Sequence, residues 1–303
     1  MDKSQGRAIQ NILPFLAMAG VFVLVDGLSL LVASPLAAAG GFAFENPSDP
    51  MDLVSFFLTL LIFTGVILFI SRYRKRATHG IFLGAVGLFF FCFFYFLTVT
   101  VIPEILSLAL SISTTVGLLV LLLKYPEWYV IDASGIIMAA GSIGMFGISL
   151  NISLVIILLA GMAVYDAISV YKTKHMLDLA DTVMRLKVPA MLIIPKVRHF
   201  SIINETKGLK EKLQGEERNA FYIGLGDIVF PGILFSSAYY NVPSHGLIVA
   251  ASVTAGTLLG FVVLMRAVIK GKPQAGLPFL SSGAILGYMV SSYLIFGRLV
   301  ALT

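Results

Sequence analysis

Long runs of apolar residues, separated by short polar stretches, recur along the whole chain. Within the runs the apolar positions are continuous rather than alternating, which favours membrane-spanning helices over the strands of a membrane barrel. A helix needs about 20 predominantly apolar residues to cross a bilayer. The pattern predicts nine spans, at about 9–33, 52–71, 79–100, 104–123, 128–147, 150–171, 219–239, 247–266 and 277–296. The predicted fold class is therefore an all-α polytopic membrane protein.

The basic residues predict how these spans are oriented. Lys and Arg concentrate in the cytoplasmic loops of membrane proteins. With a cytoplasmic N-terminus, all but one of the 21 Lys and Arg residues fall in cytoplasmic segments, and Arg298 alone falls outside. Because a miscount by one helix would mix the two sides, we expect nine transmembrane helices with the N-terminus cytoplasmic and the C-terminus outside.

The longest polar stretch divides the nine spans into six and three. The predicted organisation is an N-terminal six-helix part at 1–171, a cytoplasmic connecting loop at 172–218 and a C-terminal three-helix part at 219–303. The loop contains an apolar piece at 188–195. The loop is either a flexible linker against the lipid surface or a segment that becomes ordered on substrate by offering it a β-strand edge.

Composition supports a membrane protein and narrows its chemistry. Hydrophobic residues make up 58% and charged residues 12% of the chain, and a soluble domain carries about twice that charged fraction. The single cysteine, Cys92, excludes a disulfide framework and a cysteine-based metal site. The net charge of +5 is explained by basic loops that face the cytoplasm and anionic lipid. We therefore expect the lipid bilayer, and not a nucleic acid, as the charged partner.

Three carboxylates lie well inside the predicted spans, at Asp26, Asp166 and Asp227. A charge at that depth costs about 3 kcal/mol or more, so such a residue is a candidate functional residue. At a helical rise of about 1.5 Å per residue, Asp166 lies roughly 9 Å and Asp227 roughly 13 Å from the cytoplasmic ends of their spans. These two spans run antiparallel, so the two carboxylates are expected to face each other. Asp26 lies nearer the outer face, where a hydrogen bond inside the bundle or contact with the interface explains it as well as a function does.

Two facing carboxylates have a specific chemistry. At low dielectric they cannot both ionise, so the pair shares one proton. One carboxylate then acts as a base on water while the other, protonated, polarises a carbonyl. This is peptide hydrolysis by an aspartic dyad, which needs neither a metal nor a cofactor, and we predict none. The sequence has no His-Glu-x-x-His zinc motif and no Gly-x-Ser-x-Gly nucleophile motif.

Glycines and a proline accompany these carboxylates. Gly224 and Gly226 precede the second carboxylate and remove side chains from that turn, which lets another backbone approach; close helix packing is the other interpretation. A third stretch, around Leu277, is predicted at a similar depth. Its Gly276 and Pro278 predict irregular backbone, which at membrane depth must line a cavity or be buried in protein. A proline in the first turn of the ninth span would give the same pattern.

These residues resemble the motifs of the presenilin and signal peptide peptidase family of intramembrane aspartyl proteases, the GxGD type. The matching segments are Tyr165-Asp166 in the sixth span, Gly224-Leu225-Gly226-Asp227 in the seventh and Leu277-Pro278 at the ninth. Their order and spacing, with the division into six and three spans, match across nearly the whole chain. The family's Pro-Ala-Leu-Pro motif reads Ala275-Gly276-Leu277-Pro278 here, so only its last two positions match.

The resemblance implies an activity, a site and partners. Asp166 and Asp227 would be the catalytic pair, while Tyr165, residues 224–226 and residues 276–278 would shape the site and contact substrate. The short loops are similar to those of an archaeal presenilin homologue, which implies an integral multi-pass protein in the cell membrane of a prokaryote. The expected substrates are single-span membrane proteins with N-termini outside, cleaved near the inner third of their helix. A homo-oligomer is left open.

Three other functions are alternatives to this one. A proton- or cation-coupled transporter could use Asp166 and Asp227 as its ion site, but it predicts inverted repeats and a site nearer the midplane. An enzyme resembling the prepilin peptidases also places a Gly-x-Gly-Asp carboxylate at the cytoplasmic edge, but it leaves Leu277 and Pro278 unexplained. A non-catalytic scaffold leaves the buried carboxylates without a function.

Overall fold

The computed structural model describes residues 3–44, 46–73, 75–173, 189–196, 200–201, 220–242, 244–269 and 274–300. These described residues form nine α-helices and a two-stranded antiparallel sheet. The helices are α1 (Lys3–Ala38), α2 (Pro50–Tyr73), α3 (Lys75–Thr98), α4 (Glu104–Lys124), α5 (Trp128–Ser149), α6 (Ile152–Ile168), α7 (Leu225–Asn241), α8 (Gly246–Ile269) and α9 (Leu277–Phe296). The strands, β1 (Met191–Pro195) and β2 (Ala220–Gly224), come between α6 and α7.

Most of these helices have the length and composition of membrane spans. Within the described residues, seven segments are long and apolar enough to cross a bilayer, and they lie in α1, α3, α4, α5, α6, α8 and α9. α2 is apolar over Pro50–Val66, and α7 has 17 residues. The fold is therefore a predominantly helical membrane fold, as predicted, to which the described part of the chain adds the small sheet.

Asn151 separates α5 from α6 within one long uncharged run. Its side-chain oxygen accepts a hydrogen bond from the N–H of Leu154 at 2.9 Å, which caps the start of α6. Its side-chain amide donates to the hydroxyl of Ser48 at 3.2 Å, and its backbone N–H donates to the carbonyl of Pro47 at 2.9 Å. The α5–α6 turn is thus fixed to the loop between α1 and α2, which sets where α6 begins.

The start of the predicted seventh span, at 219–239, is a strand and not a helix. β2 pairs with β1 in a register that sets Met191 opposite Gly224. Its aromatic and β-branched residues favour a strand once a partner strand is available. α7 therefore begins at Leu225, and Asp227 lies in its first turn. The depth predicted from a helical rise does not apply to Asp227, because the residues of β2, directly before α7, are extended.

The sheet brings part of the predicted connecting loop at 172–218 against α5. Asp132 of α5 accepts a hydrogen bond from the backbone N–H of Ile193 in β1 at 2.8 Å. Leu192 and Ile193 are buried in the two apolar clusters that flank the strand. Of this loop, only residues 172–173, 189–196 and 200–201 are described, and the rest lies outside the described residues. The described apolar piece is therefore an ordered strand.

α5 lies between α1 and α7, and two glycines allow the close approach. A Cβ on Gly144 would be 3.2 Å from the backbone oxygen of Ser29 in α1. A Cβ on Gly147 would overlap the side chain of Ser236 in α7. Because α6 and α9 pack against α7 as well, α7 holds a central place in the bundle.

Asp26 is buried inside the bundle and forms a hydrogen bond there. It is 6% exposed, and the hydroxyl of Thr254 donates to its Oδ2 at 2.6 Å. This bond joins α1 to α8. Of the two non-functional explanations for Asp26, the structure supports a hydrogen bond within the bundle.

Four glycines allow α8 and α9 to pack with their backbones in contact. A Cβ on Gly256 would overlap the carbonyl oxygen of Gly283, and a Cβ on Gly283 would overlap that of Gly256. Gly260 meets the backbone of Phe279 in the same way, and Gly287 meets the backbone of Ser252. Small residues four positions apart typically create such contacts between membrane helices. This contact positions α9, whose first turn forms part of the site described below.

We expect Gly256→Val to destabilise the fold by about 1–3 kcal/mol, because backbone atoms of α9 cannot move aside for the added carbons without a helix shift. Thermal unfolding in detergent measures the effect. Gly84→Ala is the matched control, since a Cβ on Gly84 meets nothing within 4 Å. An unfolding temperature for Gly256→Val equal to that of Gly84→Ala would contradict the proposed backbone contact.

Candidate active site

Asp166 lies in the last turn of α6 and is 3% exposed. Directly after α6 the chain continues as a π-helical turn, Ser169–Thr173. The carbonyls of Tyr165 and Asp166 both accept a hydrogen bond from the N–H of Ser169, so the backbone stays hydrogen-bonded across the change. Single π turns within helices occur frequently at functional sites.

The start of α9 supplies a backbone donor to Asp166. The N–H of Leu277 donates to Oδ2 of Asp166 at 3.1 Å. The first N–H groups of a helix have no partner within the helix, so the carboxylate satisfies one of them. The side chain of Leu277 is 5% exposed and belongs to the apolar cluster shared by α6, α7, α8 and α9. Backbone and side chain together hold the first turn of α9 against α6.

Asp227 approaches the same turn of α9 from α7. It lies in the first turn of α7 and accepts a backbone hydrogen bond at Gly224, the N-cap residue of that helix. An acid in this position satisfies a free N–H and complements the helix dipole. A Cβ placed on Gly276 would be 2.8 Å from Oδ1 of Asp227. The carboxylate therefore lies directly against the backbone of Gly276.

The structure brings the two predicted carboxylates together at one turn. Asp166 binds the N–H of Leu277, and Asp227 touches Gly276, the residue immediately before it. Asp166 is close enough for its charge to act on Asp227. Two neighbouring acids on rigid helices and in an apolar surrounding can share a proton and act together on a water molecule.

The backbone at the start of α9 is more regular than its composition predicts. α9 begins at Leu277, and Pro278 lies in its first turn. A proline there removes no helical hydrogen bond, because the first N–H groups have no partner in the helix. The described residues just before it, 274–276, are not helical. Of the two interpretations of Pro278, the structure supports a first-turn proline.

The other predicted site residues lie at different distances from the pair. A Cβ on Gly224 would be 3.3 Å from Oδ2 of Asp227, so this glycine borders the carboxylate. A Cβ on Gly226 would meet only the ring of Phe230, at 3.4 Å. Leu225 packs towards α5, and Tyr165 is 38% exposed beside the buried Asp166. Gly224 is thus next to the Asp227 carboxylate, whereas Gly226 faces the ring of Phe230.

Tyr171 and Gln274, which were not predicted as site residues from the sequence, form a hydrogen bond next to the start of α9. The hydroxyl of Tyr171 donates to Oε1 of Gln274 at 2.8 Å and accepts from the N–H of Ala275 at 3.4 Å. No local signal in the sequence indicates this contact, because it depends on the π turn that carries Tyr171.

A groove of about 870 Å³ lies between α8 and α9. Its walls include exposed apolar side chains such as Leu259 and Leu286, and Pro278 and Phe279 also line it. Neither Asp166 nor Asp227 lines the groove.

A comparison with known protein families decides what kind of protein carries this site. A family model described as signal-peptide peptidase, presenilin aspartyl protease matches residues 19–297. The chain belongs to this family of aspartyl proteases. The match covers α6, α7 and the start of α9, and therefore includes every element of the presenilin-like site described above.

Solved structures show the same relation in three dimensions. One structure of a presenilin family intramembrane aspartate protease is 33% identical, with a TM-score of 0.70, and the alignment covers 93% of this chain and 99% of that chain. A second such structure, in another space group, is 32% identical with a TM-score of 0.66, covering 92% of this chain and 97% of that chain. A comparison with curated protein sequences gave no match.

The family assignment establishes the activity. The protein is an intramembrane aspartyl protease, a hydrolase, as its motifs imply. This confirms the predicted family and function. The family acts on transmembrane helices within the lipid bilayer, so the protein is an integral membrane protein with substrates of that class.

Proposed function

We propose that Asp166 and Asp227 are the catalytic pair of this protease. The observation that carries the proposal is that both carboxylates reach one turn of α9, Asp166 at the N–H of Leu277 and Asp227 at Gly276. Three helices from both parts of the chain therefore converge on one reaction centre. Gly224, Gly276 and Leu277 border the pair, and Tyr165, Leu225, Gly226 and Pro278 complete the surrounding surface.

The proposed reaction is direct hydrolysis by water. The ionised carboxylate takes a proton from water while the water oxygen attacks the peptide carbonyl carbon, and the protonated carboxyl gives its proton to the carbonyl oxygen. The resulting tetrahedral diol collapses: the carbon–nitrogen bond breaks, the leaving nitrogen gains a proton from one carboxyl, and a diol hydroxyl returns its proton to the other. The pair then again holds one proton, so the two residues carry out the cycle as a unit.

We expect the cleavage rate to have a single optimum and to fall on both the acid and the alkaline side. With two protons on the pair there is no base for water, and with none there is no donor for the carbonyl oxygen. Measuring kcat against pH in lipid nanodiscs, within the range where the protein stays folded, checks this. A rate that does not change with pH would be inconsistent with a proton-sharing pair.

The sheet formed by β1 and β2 offers a free edge to which an unwound segment of the substrate could bind. β2 runs directly into Gly224 and the first turn of α7, so a strand added beside it would arrive at Asp227. Within the described residues the sheet has two strands, and each has one edge without a partner strand. We propose that substrate binds there in extended form, since an extended segment exposes its amides to the pair and gains backbone hydrogen bonds.

Backbone N-methylation of a substrate peptide tests this strand. Along a strand, successive N–H groups point to opposite sides, so only every second N–H group of the substrate can form a hydrogen bond with the sheet. Cleavage should be lost with an N-methyl group at one position near the scissile bond and retained at the next. Equal effects at consecutive positions would contradict strand addition, and the peptide without N-methyl groups is the control.

The topology is proposed to comprise nine transmembrane spans with a cytoplasmic N-terminus and an outside C-terminus. The nine helices within the described residues and the distribution of Lys and Arg support it. Substrates would then be single-span proteins with outside N-termini, cleaved near the inner third of their helix, in the cell membrane of a prokaryote; a homo-oligomer is compatible with this. A reporter fused to the N-terminus and found outside the cell would overturn the orientation.

A further inference from the structure

Tyr171 links the end of α6 to the segment that leads into α9. Its hydroxyl group makes two hydrogen bonds to consecutive residues, donating to Oε1 of Gln274 at 2.8 Å and accepting from the N–H of Ala275 at 3.4 Å. These residues immediately precede Gly276 and Leu277, which contact the two catalytic carboxylates. Tyr171 thus bonds to the chain just before the turn on which the active site depends.

Tyr171 reaches this segment from the π turn that follows α6. It is five residues after Asp166 and lies in the π turn Ser169–Thr173, whereas Asp166 lies in the last α-helical turn. Each residue of a π turn rotates less about the helix axis than a residue of a regular α-helix, so the turn changes the direction in which Tyr171 points. Both side chains contact the chain at the start of α9, Asp166 at Leu277 and Tyr171 at Gln274 and Ala275.

The two contacts complement each other. Asp166 bonds to the N–H of Leu277, while Tyr171 bonds two and three residues earlier. The described residues 274–276 between α8 and α9 are not helical, and Gly276 has no side chain to fix its own position. Ala275, next to it, is fully buried but offers only a methyl group for packing. Gly276 is held by backbone hydrogen bonds to Asp166 and to the first turn of α9. The hydroxyl of Tyr171 is a directional tether for Gln274 and Ala275, directly before that turn.

We propose that Tyr171 is a positioning residue of the protease: its hydroxyl, through Gln274 and Ala275, holds Gly276 and Leu277 in register with Asp166 and Asp227. The inference rests on the proposed catalytic pair. Tyr171 does not take part in proton transfer. Its removal lets the turn shift while the carboxylates are retained, and small displacements of catalytic groups reduce rate steeply.

A double-mutant cycle in lipid nanodiscs with a single-span peptide substrate tests the tether. Tyr171→Phe and Gln274→Leu should each lower kcat about 3- to 10-fold, which is the range expected for one neutral hydrogen bond. KM should stay within about 2-fold, because the loss concerns the arrangement in the transition state. The double variant should be no slower than Tyr171→Phe alone, since Gln274→Leu breaks a bond that Tyr171→Phe already removes. Tyr293→Phe is the control, removing a hydroxyl from a 65% exposed tyrosine at the other end of α9.

Several results would overturn the inference. They are parent-like kcat in both single variants, a loss confined to KM, or a double variant whose loss equals the product of the single losses. If Tyr171→Phe does not fold, the test rests on Gln274→Leu alone. A lowered kcat of Gln274→Leu would then support the tether, and a parent-like kcat would contradict it. Parent-like cleavage by an Asp166→Ala variant would instead overturn the catalytic pair, and this inference with it.

Discussion

Asp166→Asn and Asp227→Asn variants are each expected to lose cleavage by about 10²- to 10⁴-fold, the range that a positioned general acid or base contributes. Asparagine keeps the size of the side chain and its hydrogen-bond acceptor, so the bond from Leu277 N–H to residue 166 can persist. What is lost is the ability to accept and return a proton. Cleavage of a single-span peptide, followed by mass spectrometry of the fragments, measures the loss.

Asp26→Asn is the matched control for these variants. Asp26 is also a buried carboxylate inside a membrane helix, but it bonds to Thr254 and lies outside the site. Asparagine can still accept the hydrogen bond from the Thr254 hydroxyl, so cleavage should stay close to that of the parent. Equal losses in all three variants would attribute the effect to buried polar groups in general and would count against the pair.

Gly276→Val is expected to reduce cleavage by about 100-fold while leaving the protein folded. The added Cβ would lie 2.8 Å from Oδ1 and 3.1 Å from Oδ2 of Asp227, and the two methyl groups beyond it enlarge the shift that the carboxylate or the turn must make. A misplacement of about 1 Å at a reacting group costs about 10²-fold in rate. Alanine, which the Pro-Ala-Leu-Pro motif of the family has at this position, demands a smaller shift and should cost less. The backbone itself tolerates a side chain, since Gly276 has φ −78° and ψ −47°. Paired measurements of kcat and thermal unfolding separate the local effect from loss of folded protein.

Gly117→Val is the control for this substitution, because a Cβ on Gly117 meets nothing within 4 Å. Its kcat and unfolding temperature should both stay close to those of the parent. If Gly276→Val kept the activity of the parent, Asp227 would not need its position against Gly276. If it lost activity only in proportion to lost folded protein, the glycine would serve packing rather than catalysis.

The sequence was sufficient to predict the pair because of where its charges lie. Carboxylates within apolar spans are rare, and the basic residues predict a span count in which the helices of Asp166 and Asp227 are antiparallel neighbours. The predicted last span, 277–296, agrees with α9 at both ends, since Gly276 and Pro278 mark its start. Strong local signals and membrane topology thus supported the family assignment before any coordinates.

The strand before α7 could not be predicted in the same way. A short apolar run such as Ala220–Gly224 is compatible with a helix or a strand, and its partner Met191–Pro195 lies about 30 residues earlier. Pairing between distant segments decided the outcome, and it moved Asp227 into the first turn of a helix. The same applies to Tyr171, whose contact with Gln274 depends on a π turn and on a partner about 100 residues away.

Buried polar residues outside the site also depend on tertiary contacts. The sequence left the role of Asp26 open, and only its hydrogen bond with Thr254 on α8 distinguishes a structural acid from a functional one. Likewise, Asp132 lies near a span end in the sequence, and its bond to the backbone of Ile193 becomes visible only when β1 is placed against α5. In each case the residue type is recognisable, but its partner is set by packing.

The most direct test of the catalytic pair compares kcat of the parent, Asp166→Asn, Asp227→Asn and the double variant in one nanodisc assay with one single-span substrate. If the two carboxylates share a proton and act as a unit, the double variant is no slower than the slower single variant, because either substitution already removes the mechanism. A double variant whose loss is the product of two independent losses, or a single variant that keeps most of the parent's rate, would contradict the pair.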